Sequence, residues 1–468
     1  MGNFTSSSEG EQQRHGKEEY DINDPRSLLL KDERKSIRSI YNSIYLLPIQ
    51  ANNDDLKAKN IALYIIRNKS DLFSGILFRW FQKNIVSYES FEAFVINCTR
   101  ISHQQSLSTV LDIVRQDKFV ESSDVKQVFF HIIVDLCCGN APENDNIATN
   151  IVEFYRWLQK TKICFDDLDE TKKFIDFLNQ YFPFTAKVID SNISEACMPT
   201  VLKSPSYRGF DPPHLNIKSS VIDHANLIPL ALNNRNLQGI WVRLYCSDMD
   251  GMSFNRIEHH ILGYDGPTCF LIRVRDGNGS VFGAYSADRW KDKNRFHGSS
   301  SNMLFVLQPQ LRIYRSSAAS NGAYQWLNTK SFQSNNGSLP HGLGFGGSTE
   351  GFRLFIPESL EGCTARSYCP TYEPGKLLLP SSSTSTVRTG GENQDLFEIE
   401  TMEVWGVGGQ ANVEKALQAQ KVSREIVDET IRKARTVDKG ALFNNEFNQE
   451  FLLSGTFQHR TQTSDRSN

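Results

Sequence analysis

Residues 341–356, HGLGFGGSTEGFRLFI, hold a G-x-G-x-x-G at Gly342, Gly344 and Gly347. That spacing can cradle a pyrophosphate when it follows a strand and opens a helix, whose first N–H groups and dipole favour an anion. Here Gly351–Ile356 continues as an alternating strand and stops at Pro357, so no helix opens. The glycines are therefore read as a tight turn whose missing side chains let strands approach closely, with Phe345 as an apolar anchor. No cofactor is expected there. Glu258-His259-His260 is the densest titratable group. Neighbouring histidines point to opposite faces of a strand, or about 100° apart on a helix, so a shared metal is not expected. Cys363 and Cys369 flank TARSY, and Cys137-Cys138 ends an apolar run. A reactive thiol needs its pKa lowered, and without a flanking cationic helix terminus the sequence gives no ground for that at these cysteines. There is no G-x-S-x-G and no H-E-x-x-H. The sequence thus predicts no catalytic residue, no metal and no small-molecule substrate.

Gly2 is different. Met1-Gly2-Asn3-Phe4-Thr5-Ser6 fits the acceptor pattern for N-myristoylation, and the polar residues after it suit a transferase that needs an extended peptide. One myristoyl chain gives only reversible membrane binding. Residues 1–30 hold no cysteine, and three basic residues stand against six acidic ones. The second membrane signal must then be a protein partner or another surface of the fold. The expected location is the cytoplasmic face of the plasma or lysosomal membrane, with a cytosolic pool.

The elements that position these residues can be read from composition and period. The chain has 468 residues and a formal net charge of -3, so no overall basic field points to nucleic acid. Nine cysteines without a C-x-x-C favour reduced thiols. The longest apolar run, Gln127–Cys138, is interrupted by His131 and Asp135 and is too short for a membrane span. Residues 1–24 read as disordered. Asp24-Pro25 looks like a helix start, and apolar residues recur at three- and four-residue spacing from Ile37 onwards. This predicts a helical domain over 25–185. Its acidic breaks suggest an EF-hand-like scaffold, but none has the calcium-loop pattern; DDLDETKKFIDF (166–177) lacks the glycine and the terminal Glu. Prolines 199, 205, 212 and 213 mark a linker over 186–219. Beyond it the period becomes that of strands: TCFLIRVR, a DGNG turn and SVFGAYSA read as a hairpin. Residues 220–409 read as an antiparallel sandwich, giving an α+β chain.

Over these residues the chain resembles the TLDc domain of the oxidation-resistance proteins and their relatives. LYCSDMDGMSF resembles the opening strand and its turn. GPTCFLIRVRDGNGSVFGAYSADRW resembles the central hairpin, although Ala287-Asp288-Arg289-Trp290 lacks the family's proline. FHGSSSNMLFVLQP, GLGFGG with FRLFI, CPTYEPGKLL and FEIETMEVWGVGG follow in the family's order. The resemblance makes Gly344, Phe345, Gly346, Gly347, Glu403, Trp405 and Gly406 signature positions. An acylation signal ahead of a helical half is similar to the lysosome-associated, mTOR-linked members and to the nematode member called enhancer of Akt null. The resemblance implies a non-enzymatic adaptor that associates with the vacuolar proton pump. It also implies modulation of insulin, Akt and mTOR signalling toward FoxO. The alternative it leaves open is oxidative defence through Cys363 or Cys369.

After the domain, residues 410–440 read as one amphipathic helix ending at Gly440, and 441–468 as mostly disordered. Val413, Leu417, Val422, Ile426 and Ile431 are placed roughly on one face. The helix either packs back on the domain or lies in a partner's groove, with Leu417, Val422, Ile426 and Ile431 as anchors.

Overall fold

The computed structural model describes residues 28–45, 60–62, 64–66, 69–84, 87–139, 144–161, 170–199, 209–275, 279–329, 339–378 and 394–443. Gly2, the Asp24-Pro25 helix start, most of the DGNG turn and the 444–468 tail lie outside them. Two units divide the chain, Met1–Val152 with Cys164–Phe210 and Glu153–Ile163 with Asp211–Asn468.

The amino-terminal region is helical: α1 (Lys31–Tyr45), α2 (Asp71–Asn84), α3 (Tyr88–Thr99), α4 (His103–Arg115), α5 (Val125–Cys138), α6 (Asn144–Thr161), α7 (Glu170–Tyr181) and α8 (Thr185–Cys197). Serine side chains start two of these helices. The Ser87 hydroxyl accepts from Ser90 N–H and the Ser102 hydroxyl from Gln105 N–H, satisfying donors that a helix cannot pair internally. Phe91, Val95, Val110, Val114, Phe129 and Ile133 recur at helical spacing and are buried. Helix α8 corrects the expected linker, which was to begin at residue 186. TAKVIDSNISEAC holds neither glycine nor proline, and Val188, Ile189, Ile193, Ala196 and Cys197 are buried. The prolines that suggested a linker begin only at Pro199.

The second unit is built on two sheets. One has seven strands in the order β1 (His214–Leu215), β2 (Ile240–Cys246), β12 (Ile399–Gly406), β3 (Thr268–Val274), β4 (Val281–Ser286), β5 (Met303–Gln308) and β6 (Arg312–Tyr314). The other has five, in the order β11 (Gln394–Phe397), β10 (Cys363–Arg366), β9 (Gly351–Pro357), β8 (Gly342–Ser348) and β7 (Gln325–Asn328). All pairs are antiparallel except β1 with β2. Phe270, Ile272, Phe282, Leu304 and Val404 from the first sheet share one core with Leu343, Phe345, Leu354, Ile356 and Ala365 from the second. This is an antiparallel sandwich, with short helices α9 (Ile228–Asn233), α10 (Ser247–Asp250) and α11 (Phe254–Ile261) inserted around β2.

The chain then runs into α12 (Gln410–Phe443). This helix passes through Gly440 instead of stopping there. A single glycine costs a helix only about 1 kcal/mol relative to alanine.

Candidate functional site

The glycine stretch lies within strand β8 itself, and the turn follows at 348–351. Gly344 pairs with Trp326 on one side and Phe355 on the other, and Phe345 pairs with Gln325 and Leu354. A Cβ on Gly344 would fall 2.5 Å from Phe352 Cδ1, and one on Gly347 would fall 2.1 Å from the Gly351 carbonyl oxygen. Gly346 and Gly347 also have φ of 65° and 90°, a region that side chains disfavour. The close approach expected of these glycines is therefore present, but between strand neighbours and not in a turn. Phe345 is 1% exposed and meets Phe270 at 5.9 Å and Trp290 at 5.5 Å, both edge to face. It pins the five-stranded sheet to the seven-stranded one. Trp290 in turn donates to Thr268 Oγ1 at 2.9 Å.

The threonine-aromatic segment closes over the same strand. Thr371 Oγ1 accepts from Gly347 N–H at 2.9 Å and donates to Asn321 Oδ1 at 2.7 Å, while Asn321 Nδ2 donates to the Gly347 carbonyl. A Cβ on Gly346 would sit 2.8 Å from the Tyr372 ring. Two motifs far apart in sequence thus form one packed unit.

Glu403, Trp405 and Gly406 lie on β12. Glu403 is fully buried and accepts from Ser219 Oγ (2.6 Å), Ser220 N–H (2.8 Å), Ser220 Oγ (3.0 Å) and Trp405 Nε1 (3.0 Å). It ties the segment entering the domain to the strand leaving it. Ser219 and Ser220 have no motif of their own and were not singled out in the sequence. Gly406 leaves room for Tyr264, whose hydroxyl would lie 2.5 Å from a Cβ there.

The histidines fall on α11. His260 Nδ1 lies 2.6 Å from the Leu244 carbonyl, while His259 is largely exposed, and slight desolvation, then Arg424, hold its pKa down. Among the described residues no group of three or more His, Cys, Asp or Glu could hold a metal.

The two candidate thiols differ. Burial pushes Cys363 up to about 12, and its thiol donates to the Leu360 carbonyl at 3.5 Å. Cys369 Sγ accepts from Tyr372 N–H at 3.3 Å and lies within electrostatic reach of Arg353. Arg353 is fully buried. Its guanidinium donates to the carbonyls of Arg366 and Gly375, lies 3.5 Å from that of Glu373 and stacks 5.2 Å from the Tyr314 ring. In FRLFI this arginine stands between apolar residues, and nothing local marks it as buried. Carbonyls of residues 366–375 and the Tyr314 ring enclose it.

Helix α12 divides into two parts. Val413, Ala416 and Gln420 are buried and Leu417 packs against the core. Gln420 Nε2 donates to the carbonyls of His260 (2.8 Å) and Leu262 (3.1 Å), and Arg424 donates to that of His259 (2.9 Å). These are end-of-helix carbonyls of α11, which have no partner inside their own helix. Further along, Val422 (44%), Ile426 (59%) and Ile431 (45%) are exposed. At 100° per residue Val422 and Ile426 point away from Val413, so the five residues expected on one face are split between two.

Residues 216–408 match the family model of the TLDc domain, and the sandwich just described is built on those residues. Among curated proteins, the mTOR-associated protein MEAK7 of Xenopus laevis is 34% identical over 174 residues, covering 37% of this chain and 33% of that protein. MEAK7 of Danio rerio is 31% identical over 170 residues, covering 36% and 33%. The human oxidation resistance protein 1 is 24% identical over 206 residues, covering 44% and 20%. The chain thus spans about a third of the length of the MEAK7 relatives it matches.

Proposed function

We propose that this chain is a non-enzymatic adaptor, held at a membrane through acylated Gly2, that regulates mTOR-linked signalling. In this reading it associates with the vacuolar proton pump and modulates insulin and Akt output toward FoxO. One observation carries the non-enzymatic part. The groups that could do chemistry are committed to the fold: Glu403 to four donors and His260 to a carbonyl, while the glycine stretch that resembles a phosphate cradle is used in strand packing. Similarity to relatives named for mTOR association supports the signalling part. The exposed distal face of α12 is the partner-binding helix. Native affinity purification should recover pump subunits and mTOR-pathway proteins, and less of both with Gly2→Ala. Recovery of neither class would refute the reading.

A second reading, oxidative defence, is favoured by similarity to oxidation resistance protein 1, with Cys369, within electrostatic reach of the buried Arg353, as the thiol to test. Peroxide consumption by purified protein that vanishes in Cys369→Ser and persists in Cys363→Ser would establish it in place of the first.

A further inference from the structure

The helical unit carries a surface for which the proposed adaptor role has no use so far. Helix α2 and the turn between α4 and α5 enclose an open cavity of about 180 Å³. At about 30 Å³ per liquid water, it has room for a phosphate-sized group with its water. Ile76 and Ile113 form its floor, Trp80 a wall, and Arg79, Lys83 and Lys118 line it from two elements. Phe119 stands beside it, 69% exposed. Arg79 and Lys118 each lie 4.9 Å from the centre of that ring.

This corner is preorganised. The Asp117 side chain is only 2% exposed and does two jobs. One oxygen accepts from Arg79 Nε at 2.8 Å and Nη2 at 2.5 Å; the other accepts from Phe119 N–H at 2.9 Å. The carboxylate thus neutralises Arg79 and locks the turn that projects Phe119. Lys83 and Lys118 remain as the net charge of the lining. Glu121 and Asp124 are exposed on the same turn and oppose them, so membrane affinity at this corner combines the lysines with burial of an apolar ring.

An outward phenylalanine flanked by Arg79 and Lys118, beside a cavity lined by Trp80 and Lys83, has the chemistry of a lipid interface. The ring enters the acyl boundary while the ammonium groups stay among head groups. The amino-terminal segment lacks the basic patch that would reinforce a single myristoyl chain. We propose that the Trp80–Phe119 corner supplies that second signal: a docking surface for anionic phospholipid, with Phe119 as the wedge and Lys83 and Lys118 as head-group contacts. The proposal rests on the membrane-attachment reading above.

The test uses the acylated full-length chain and sedimentation with phosphatidylcholine vesicles, with and without phosphatidylserine. Wild type should prefer the anionic vesicles. Lys83→Glu with Lys118→Glu should weaken that binding at least about tenfold, given the contribution of each lysine near such a surface. Phe119→Ser should weaken it as well, and Glu121→Lys should strengthen it. All four side chains are exposed, so unchanged thermal unfolding would certify the variants. Equal binding to both vesicle types, or corner variants that bind like wild type, would overturn the proposal. Loss of binding in Gly2→Ala with no effect of the corner variants would leave acylation standing and remove the corner. The reverse pattern would remove acylation and keep the corner.

Discussion

Glu403 is a carboxylate placed where water cannot reach it, and its four donors are what make that tolerable. Glu403→Ala strands two serine hydroxyls, a backbone N–H and an indole N–H. At roughly 1–3 kcal/mol for each buried donor left unpaired, less what relaxation and water recover, a net loss of about 3 kcal/mol is expected in urea unfolding. Glu403→Gln should fall between the two, since its amide nitrogen turns a donor toward donors. A loss below about 1 kcal/mol in the alanine variant would mean the segment at Ser219 is not held this way. His297 gives a pH signature. Burial lowers its pKa from 6.5 to about 4, with Trp290 6.2 Å from its ring. The unfolded chain therefore takes up this proton below pH 6.5 while the folded chain resists it until about pH 4. Stability from this site is complete above pH 6.5 and falls as the pH drops toward 4. The wild type minus His297→Gln difference in unfolding free energy should decline across that window. A flat difference would contradict the burial of the ring.

At the scale of elements, α12 is held by its first turns and leaves the rest available. Gln420→Ala removes the donor shared by two carbonyls at the end of α11. It should destabilise the domain by about 1–3 kcal/mol. Val422→Ser with Ile426→Ser, on the exposed side, should stay within about 0.5 kcal/mol of wild type while reducing capture of partner proteins. Equal effects of the two changes on stability would show that the helix is gripped along its whole length. What could be read in advance follows from local physics. The strands of the hairpin and the breaks between helices carry their own period and turn residues. Helix α8 was missed because the nearby prolines are a stronger local signal than a short apolar stripe. The split of α12 was missed because an exposed valine and a buried one look alike until the domain surface ends. The burial of Arg353 and the Ser219–Glu403 tie depend on residues more than ten and more than a hundred positions apart, beyond the reach of any local pattern.

At the scale of the molecule, the TLDc match falls on an antiparallel sandwich in which Gly344, Phe345, Gly346, Gly347, Glu403 and Gly406 are packed into the fold. Phe345 joins its sheets, and Phe345→Ala should cost about 3–5 kcal/mol. Binding would then fall to exposed surfaces, such as the distal helix and the helical unit's exposed aromatic corner. The strand order carries a further consequence. β12, which is last in sequence, lies between β2 and β3, with β1–β2 on one side and β3–β6 on the other. During synthesis the first sheet therefore cannot close until residue 406 has left the ribosome. Before that, two half-sheets wait with open edges that another chain could pair. A nascent chain stopped before Ile399 should be a client for chaperones, and one released after Gly406 should not. The timing of translation thus becomes part of how this domain avoids aggregation.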